Sequence, residues 1–322
     1  MVAGRPHRFV RRLCRPVPPA RAVSRAHRRA YRVVMRILVV GGSGFVGSVL
    51  VRHAVAEGHE AHATYHSGRP PTAPGVVAHA LDLRDGAAIG RLIDATAPHV
   101  VVNTSSGGAD WSVTAEGAGR LAQAVARHGA RLVHVSSDAV FSGALPAYEE
   151  RHAPDPVTPY GAAKAAAETA VRLVAPGAVV ARTSLVIGDA GHPSEHERLV
   201  RALVAGRPGA LWTDDVRCPV HVADLAAALC ELAVGEAAGV VHLGGAQALS
   251  RYELGTRLAV RDGLDAGALR SGTRPSGPSV IRLVAGPQTR RAVRTRLRGA
   301  NEFLSSGHAH AAGSGNSRHR QE

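Results

Sequence analysis

Aromatic side chains make up only 3% of this chain, too few for a platform on which nucleic-acid bases stack. Cysteine is equally sparse. Cys14, Cys218 and Cys230 offer no C-x-x-C motif and no pairing framework, which suits a reducing compartment and a cytoplasmic location. No apolar stretch approaches the length of a membrane span, and no cluster of His, Cys and carboxylates has metal-ligand spacing. The net charge of +14 invites a nucleic-acid reading, but its distribution argues against one. Residues 1–34 hold ten arginines and no acid, residues 305–322 hold two arginines and one glutamate, and the remainder carries 27 basic against 24 acidic groups.

The Arg-rich leader, residues 1–34, lacks a sustained apolar period and is expected to be disordered. It has three readings: an organellar targeting segment, a twin-arginine signal at Arg11-Arg12, or a start-site artefact with translation beginning at Met35. The last is preferred, because Met35 stands immediately before the first strand pattern. The tail, residues 305–322, reads as a flexible end.

Lysine is scarcest of all, since Lys164 is the single lysine among 39 basic side chains. It stands four residues after Tyr160, so the two side chains share a helix face. Tyrosine titrates near 10, and general acid–base work near neutrality requires lowering it by about three units, or roughly 4 kcal/mol. A desolvated cation alongside could supply that lowering. Taken alone, Tyr-x-x-x-Lys is a weak signal, and a leftover lysine on a solvated helix face is the more ordinary reading.

A second motif runs from Arg36 to Gly47, where the apolar Ile37-Leu38-Val39-Val40 opens into Gly41, Gly44 and Gly47 and then a helical pattern. Strand, glycine turn and helix in this order let backbone approach a pyrophosphate at a helix N-terminus, with Ser43, Phe45 and Val46 beside it as cofactor contacts. Strands then alternate with helices: a helix over 45–56, strands near 60–65, 76–80 and 99–102, a helix over 112–128, a strand over 131–136, the Tyr160 helix and a strand over 178–182. This predicts an α/β fold, a Rossmann-type doubly wound parallel sheet with ligand at the carboxyl ends of its strands. The expected divisions are a dinucleotide-binding domain over 35–186 and a smaller C-terminal α/β substrate-binding lobe over 187–304, some of whose elements return to the first domain. Beyond Ile187 the pattern loosens into loops, one helix over 222–234, a strand over 240–243 and a helix after the Ser250/Glu253 capping box. The second strand ends in Tyr65-His66-Ser67-Gly68-Arg69 without an acid for a ribose 2′-hydroxyl, so NADP(H) is expected over NAD(H), with His66 and Arg69 near the 2′-phosphate.

Together these residues resemble the extended short-chain dehydrogenase/reductase family over roughly residues 35–304. Within it they are most similar to the branch of dTDP-4-dehydrorhamnose reductases and related sugar-nucleotide-binding proteins. The resemblance covers the glycine turn, Asp82-Leu83 as the adenine-contacting pair, Asn103 at a strand end, Ser136-Ser137-Asp138-Ala139-Val140-Phe141-Ser142-Gly143, Tyr160 with Lys164, Arg182-Thr183-Ser184, and the segment from Arg217 to Leu225. It implies an NADPH-dependent enzyme reducing a 4-keto group of a nucleotide-linked deoxysugar. Ser137, Tyr160 and Lys164 would be catalytic, and Ser105, Asp138, Arg182, Trp212 and Arg217 would face the substrate. For Arg217, a salt bridge to Asp214 or Asp215 competes with a pyrophosphate contact. The chain departs from the branch at Asn103-Thr104-Ser105-Ser106-Gly107-Gly108, where the reductases usually show Asn-Ala-Ala-Ala-Tyr-Thr, and at Asp214-Asp215-Val216-Arg217-Cys218-Pro219-Val220, where they tend to carry Asp-Gln-x-Gly-x-Pro-Thr. Epimerase or dehydratase chemistry on bound NAD, and a cofactor-binding regulatory subunit, are the alternatives. A homodimer is compatible with this resemblance.

Overall fold

The computed structural model describes residues 33–277 and 279–305; the expectations for the Arg-rich leader, Cys14 and the His-rich tail lie outside them. Seven strands form the central sheet: β1 (Arg36–Val40), β2 (Glu60–Tyr65), β3 (Val76–Ala80), β4 (Val100–Asn103), β5 (Arg131–Ser137), β6 (Val179–Thr183) and β7 (Gly239–Leu243). Their order is β7-β6-β5-β4-β1-β2-β3, and every pairing is parallel. The order reverses between β1 and β4, which opens a crevice at their carboxyl ends. The inner strands β1 and β4 are near-continuous apolar runs because both faces of the sheet are covered there, whereas the edge strand β3 is partly exposed.

Helices α1 (Phe45–Ala56), α2 (Gly86–Thr96), α3 (Ala118–His128), α4 (Pro159–Val174) and α6 (Val222–Val234) pack on this sheet, while α5 (Glu195–Val204) lies in the C-terminal part. Val39, Val133 and Val179 face one side, with Leu50 of α1 and Leu229 of α6. Leu38, Val101 and Val180 face the other, with Ile89 of α2, Leu121 of α3 and Val171 of α4. A third apolar cluster joins α5, α7 (Arg251–Arg261) and α9 (Ala300–Ser305) through Val200, Leu254 and Phe303; the short α8 (Pro287–Ala292) packs beside β7.

Helices α8 and α9 were not expected from the sequence, and three further details differ from that reading. The stretch 112–128 opens as a π-helical turn over Ser112–Gly117, and a Cβ at Gly117 would stand 2.8 Å from Leu83 Cβ. Helix α2 was unforeseen, although Asp85 caps it by accepting from the Ala88 amide. So was α5, which the loop-like composition conceals. Its Ser194/Glu197 capping box has the same spacing as the recognised Ser250/Glu253 box at α7, and both are formed.

Candidate functional site

The glycine turn joins β1 to α1. Gly41 adopts φ +81°, the left-handed region open to glycine, and a Cβ there would meet Ser105 backbone at 2.9 Å. Gly47 lies so close under the turn that a Cβ would stand 2.2 Å from the Gly41 carbonyl oxygen. Helix α1 begins at Gly44 with no side-chain cap, leaving its first-turn N–H groups to a ligand. The turn therefore fits a dinucleotide pyrophosphate. Ser43 is exposed at the turn and donates its amide to Thr64 O at 3.2 Å. Val46 packs on the core beneath it, and Phe45 stacks on His192 with ring centroids 5.0 Å apart.

A cleft of about 490 Å³ continues from the turn, lined by Gly41, Thr64, His66, Leu83, Arg84 and Ser106 among others. Asp82 and Ser105 also line it. Arg69 is exposed and is not among the cleft residues. Arg84 stands in the cleft instead, with Nε 3.0 Å from Asp82 Oδ1, and holds the Asp82 carboxyl below the usual carboxylate range. His66 Nε2 lies 3.4 Å from Asp82 Oδ2. Ser105, expected near the substrate, belongs to the floor of this cleft. Its hydroxyl donates to Asn103 Oδ1 at 2.6 Å. That contact turns the Asn103 amide nitrogen toward His134 Nδ1 at 3.1 Å, so the buried imidazole carries its proton on Nε2. Burial and then Lys164 bring His134 down to about 3, so it stays neutral.

The Tyr160 phenol is partly buried on α4, where Thr158 caps the helix and Pro159 starts it. Gly161 lets this turn sit against the Ala139 carbonyl, 2.0 Å from where a Cβ would be. Burial pushes the phenol above its ordinary value and the Asp138 charge adds to this, while hydrogen bonds with Ser137 and Ser106 oppose it. The sign is opposite to the lowering that the Tyr160–Lys164 spacing suggested, because desolvation outweighs the other influences. Lys164 is buried, donates Nζ to Val135 O at 3.0 Å, and is brought down to about 8, chiefly by burial. Ser137 is a capping hydroxyl as well as a neighbour of Tyr160, since it accepts from the Ala139 amide at 3.2 Å.

Arg182 does not face the cleft. It is 1% exposed, as is Glu168, and its Nη2 donates to Glu168 Oε2 at 2.7 Å while Nη1 donates to His152 O at 3.1 Å. The expected substrate contact is corrected to a buried ion pair one helical turn beyond Lys164. Arg217 likewise lies in an ionic contact with Asp215, Nη1 to Oδ1 at 2.6 Å, so of the two readings the salt bridge is formed. Asp138 is buried and accepts from the Ser184 hydroxyl at 2.6 Å. Trp212 lines a separate cavity of about 310 Å³ with Leu211, Leu254, Asp215, Arg251 and His196. The sequence reading missed Ser106, Arg84, Glu168, His134 and Arg251. Ser106 was signalled by its departure from alanine, and Glu168 by the four-residue step from Lys164. His134, Arg84 and Arg251 gave no signal.

Residues 35–280 match the family described as the RmlD substrate binding domain. The chain belongs to this family. It is thereby a member of the extended short-chain dehydrogenase/reductases, as its motifs implied. A dTDP-4-dehydrorhamnose reductase of Mycolicibacterium smegmatis is 35% identical over 237 residues, 70% of each chain. Methionine adenosyltransferase 2 subunit beta of Xenopus laevis is 27% identical over 254 residues, covering 73% of this chain and 74% of that one. Among solved structures, the dTDP-4-dehydrorhamnose reductase of Bacillus anthracis in complex with NADP superposes with a TM-score of 0.70 at 20% identity, covering 84% and 97% of the two chains. The Thermus thermophilus UDP-glucose 4-epimerase complex with NAD gives 0.72 at 23% identity, covering 86% and 100%. These two establish the likeness of fold. Among the described residues, no helix is long and apolar enough to cross a membrane.

Proposed function

We propose that this family member is an NADPH-dependent reductase of a 4-keto group on a nucleotide-linked deoxysugar. The observation that carries the reading is that Tyr160, with Ser137 and Ser106 acting on its phenol, stands at the carboxyl end of β5 beside the glycine-lined cleft. The 35% identity to a reductase of that name supports it. The pyrophosphate of the dinucleotide would rest on the turn from Gly41 to Gly47, and Asp82 and Leu83 would meet the adenine. When bound, the reduced nicotinamide supplies a hydride.

The chain's own groups handle the proton and the positioning. Tyr160 keeps its phenolic proton at neutral pH, because burial raises its value, and can give that proton to an oxygen on which negative charge develops. Ser137 offers a hydroxyl to the same oxygen. Lys164, fixed to Val135 O, would hold ribose hydroxyls and offset charge on the phenol. The cavity lined by Trp212 would take the nucleotide base, with Arg251 near its diphosphate. NADP(H) is preferred to NAD(H), because β2 ends in Tyr65-His66-Ser67 without a carboxylate and Arg84 shares the cleft. The division into a dinucleotide domain over 35–186 and a mainly substrate-binding lobe over 187–304, a cytoplasmic location and a homodimeric state belong to the same proposal.

The test follows NADPH absorbance with dTDP-4-keto-6-deoxysugars, beside Tyr160→Phe. Oxidation that falls by about 10²–10⁴ in the variant supports the reading. Tight NADPH binding without turnover on any such sugar overturns it and favours a regulatory subunit, the role suggested by the similarity to methionine adenosyltransferase 2 subunit beta.

A further inference from the structure

A buried chain of four charges joins the Trp212 cavity to the end of β5. Arg251 lines the cavity, and its Nε lies 3.3 Å from Asp215 Oδ2. Asp215 Oδ1 is 2.6 Å from Arg217 Nη1, and Arg217 Nε is 3.6 Å from Asp138 Oδ2. Asp138 ends the chain beside Ser137, whose hydroxyl donates to Asp138 Oδ1 at 3.3 Å. Two guanidinium groups thus face two carboxylates, and all four are largely withdrawn from water, the most exposed side chain being Arg251 at 25%. In such surroundings a charge added at one end is felt at the other, since the effective dielectric is far below that of water. Asp215 and Arg217 occupy two positions where the chain departs from the pattern of the reductases, and their departures are matched to each other.

Asp138 is the member of the chain most disposed to hold a proton. Burial pushes its carboxyl up, and the opposing influences are Arg217 first, then the Ser184 hydroxyl, Arg251 and Ser137. The other titratable groups that feel it are Tyr160 on α4 and Cys218, both raised chiefly by burial and further by its negative charge. His196 faces Arg251 from α5, with Nδ1 3.2 Å from Arg251 Nη1. An anion seated at Arg251 competes for the same two cations that favour the ionised form of Asp138.

We propose that Asp138 is a positioning residue that takes up a proton from solvent when the diphosphate of a nucleotide sugar engages Arg251, removing a negative charge from the side of Tyr160. The inference rests on the nucleotide-sugar reading above. The proton forms an O–H bond on a carboxylate oxygen of Asp138, and the buffer acid loses it. Phenolate character then develops on Tyr160 without an adjacent carboxylate, so proton donation is easiest only with substrate in place. The same proton also turns Asp138 from an acceptor into a donor toward Ser137 or Ser184.

The full chain would be titrated with thymidine diphosphate-glucose by calorimetry, in buffers of different ionisation enthalpy, from about pH 6 to about pH 9. Both phosphates of this probe are esterified, so it does not itself titrate there. The expected result is an uptake rising to about one proton per site within that range and lost in Asp138→Asn, which still binds the probe. Binding with no proton uptake at any pH overturns the inference while leaving the nucleotide-sugar reading intact. Uptake that persists unchanged in Asp138→Asn belongs to another group, such as His196 beside Arg251, and also overturns it. If Asp138→Asn does not fold, His196→Gln takes its place: uptake that survives in that variant supports the assignment to Asp138, and uptake lost in it overturns the inference. Failure of the probe to bind removes the nucleotide-sugar reading and the inference with it.

Discussion

Lys164 donates its side-chain nitrogen to the carbonyl oxygen of Val135 at 3.0 Å, which fixes the chain's single lysine to the strand that ends in Ser137. The ammonium is therefore anchored to β5 on the helix face it shares with Tyr160. A neutral methionine would fill the same space without the charge, but would leave the Val135 carbonyl without this donor.

Lys164→Met separates stability from function. Burial brings the lysine from its ordinary 10.5 to about 8, a difference of roughly 3 kcal/mol between its charged and neutral forms. A lysine with a lowered folded value destabilises the fold where it must be charged, below about pH 8, and that penalty fades as pH rises toward the unfolded value. The variant is expected to match or exceed the wild type in urea midpoint at pH 7 while turnover falls by about 10²–10⁴. A clear loss of stability at pH 7 would show that the Val135 contact outweighs desolvation.

The Glu168–Arg182 pair carries the opposite expectation. Both side chains are 1% exposed, the Ser136 hydroxyl donates to Glu168 Oε1 at 2.6 Å, and Arg182 lies over the Phe141 ring at 4.9 Å. Removing one partner in Arg182→Met strands a buried charge and should cost about 3–5 kcal/mol, measured by chemical denaturation. Adding Glu168→Leu should return most of that stability. A variant that stays folded yet loses only substrate affinity would restore Arg182 to the substrate site.

Two glycines with contrasting surroundings test the cradle. Gly47→Ala forces a methyl group into the Gly41 carbonyl and should destabilise by about 1–3 kcal/mol and weaken cofactor binding. Gly90→Ala, inside α2 with open space around it, should stabilise by about 0.5–1 kcal/mol and leave cofactor affinity unchanged. Thermal unfolding and cofactor fluorescence read the two effects separately.

Under the proposed reading, Arg84 is the residue that would set cofactor choice. Arg84→Ala should weaken NADPH about tenfold with little change for NADH, whereas Arg69→Ala should alter neither. Fluorescence titration of the two cofactors decides it. Equal loss of both would make Arg84 a support for Asp82 rather than a reader of the 2′-phosphate.

The central sheet was legible because its signals are local. Val39 and Val40 before Gly41, or Val133 and Val135 before Ser136 and Ser137, are apolar runs that end in small polar or glycine residues, and their boundaries fell within one residue of where the sequence placed them. The Ser194 box at α5 was written as plainly as the Ser250 box at α7, but a ten-residue helix between Pro- and Gly-containing loops carries too little periodicity to stand out.

By itself the sequence determined the parallel α/β order, the glycine turn and the helix face shared by Tyr160 and Lys164, because each depends on residues a few positions apart. The tertiary structure alone decided which arginines are available to a ligand. Arg69, Arg84, Arg182 and Arg217 look alike in a chain so rich in arginine, and their roles depend on carboxylates brought near by folding. Glu168 is 14 residues from Arg182 and buried with it, while Arg217 meets Asp138 from 79 residues away. Burial is the first cause of the shifts at Lys164, His134 and Asp138, and burial is a property of the packed sheet and helices rather than of any local motif.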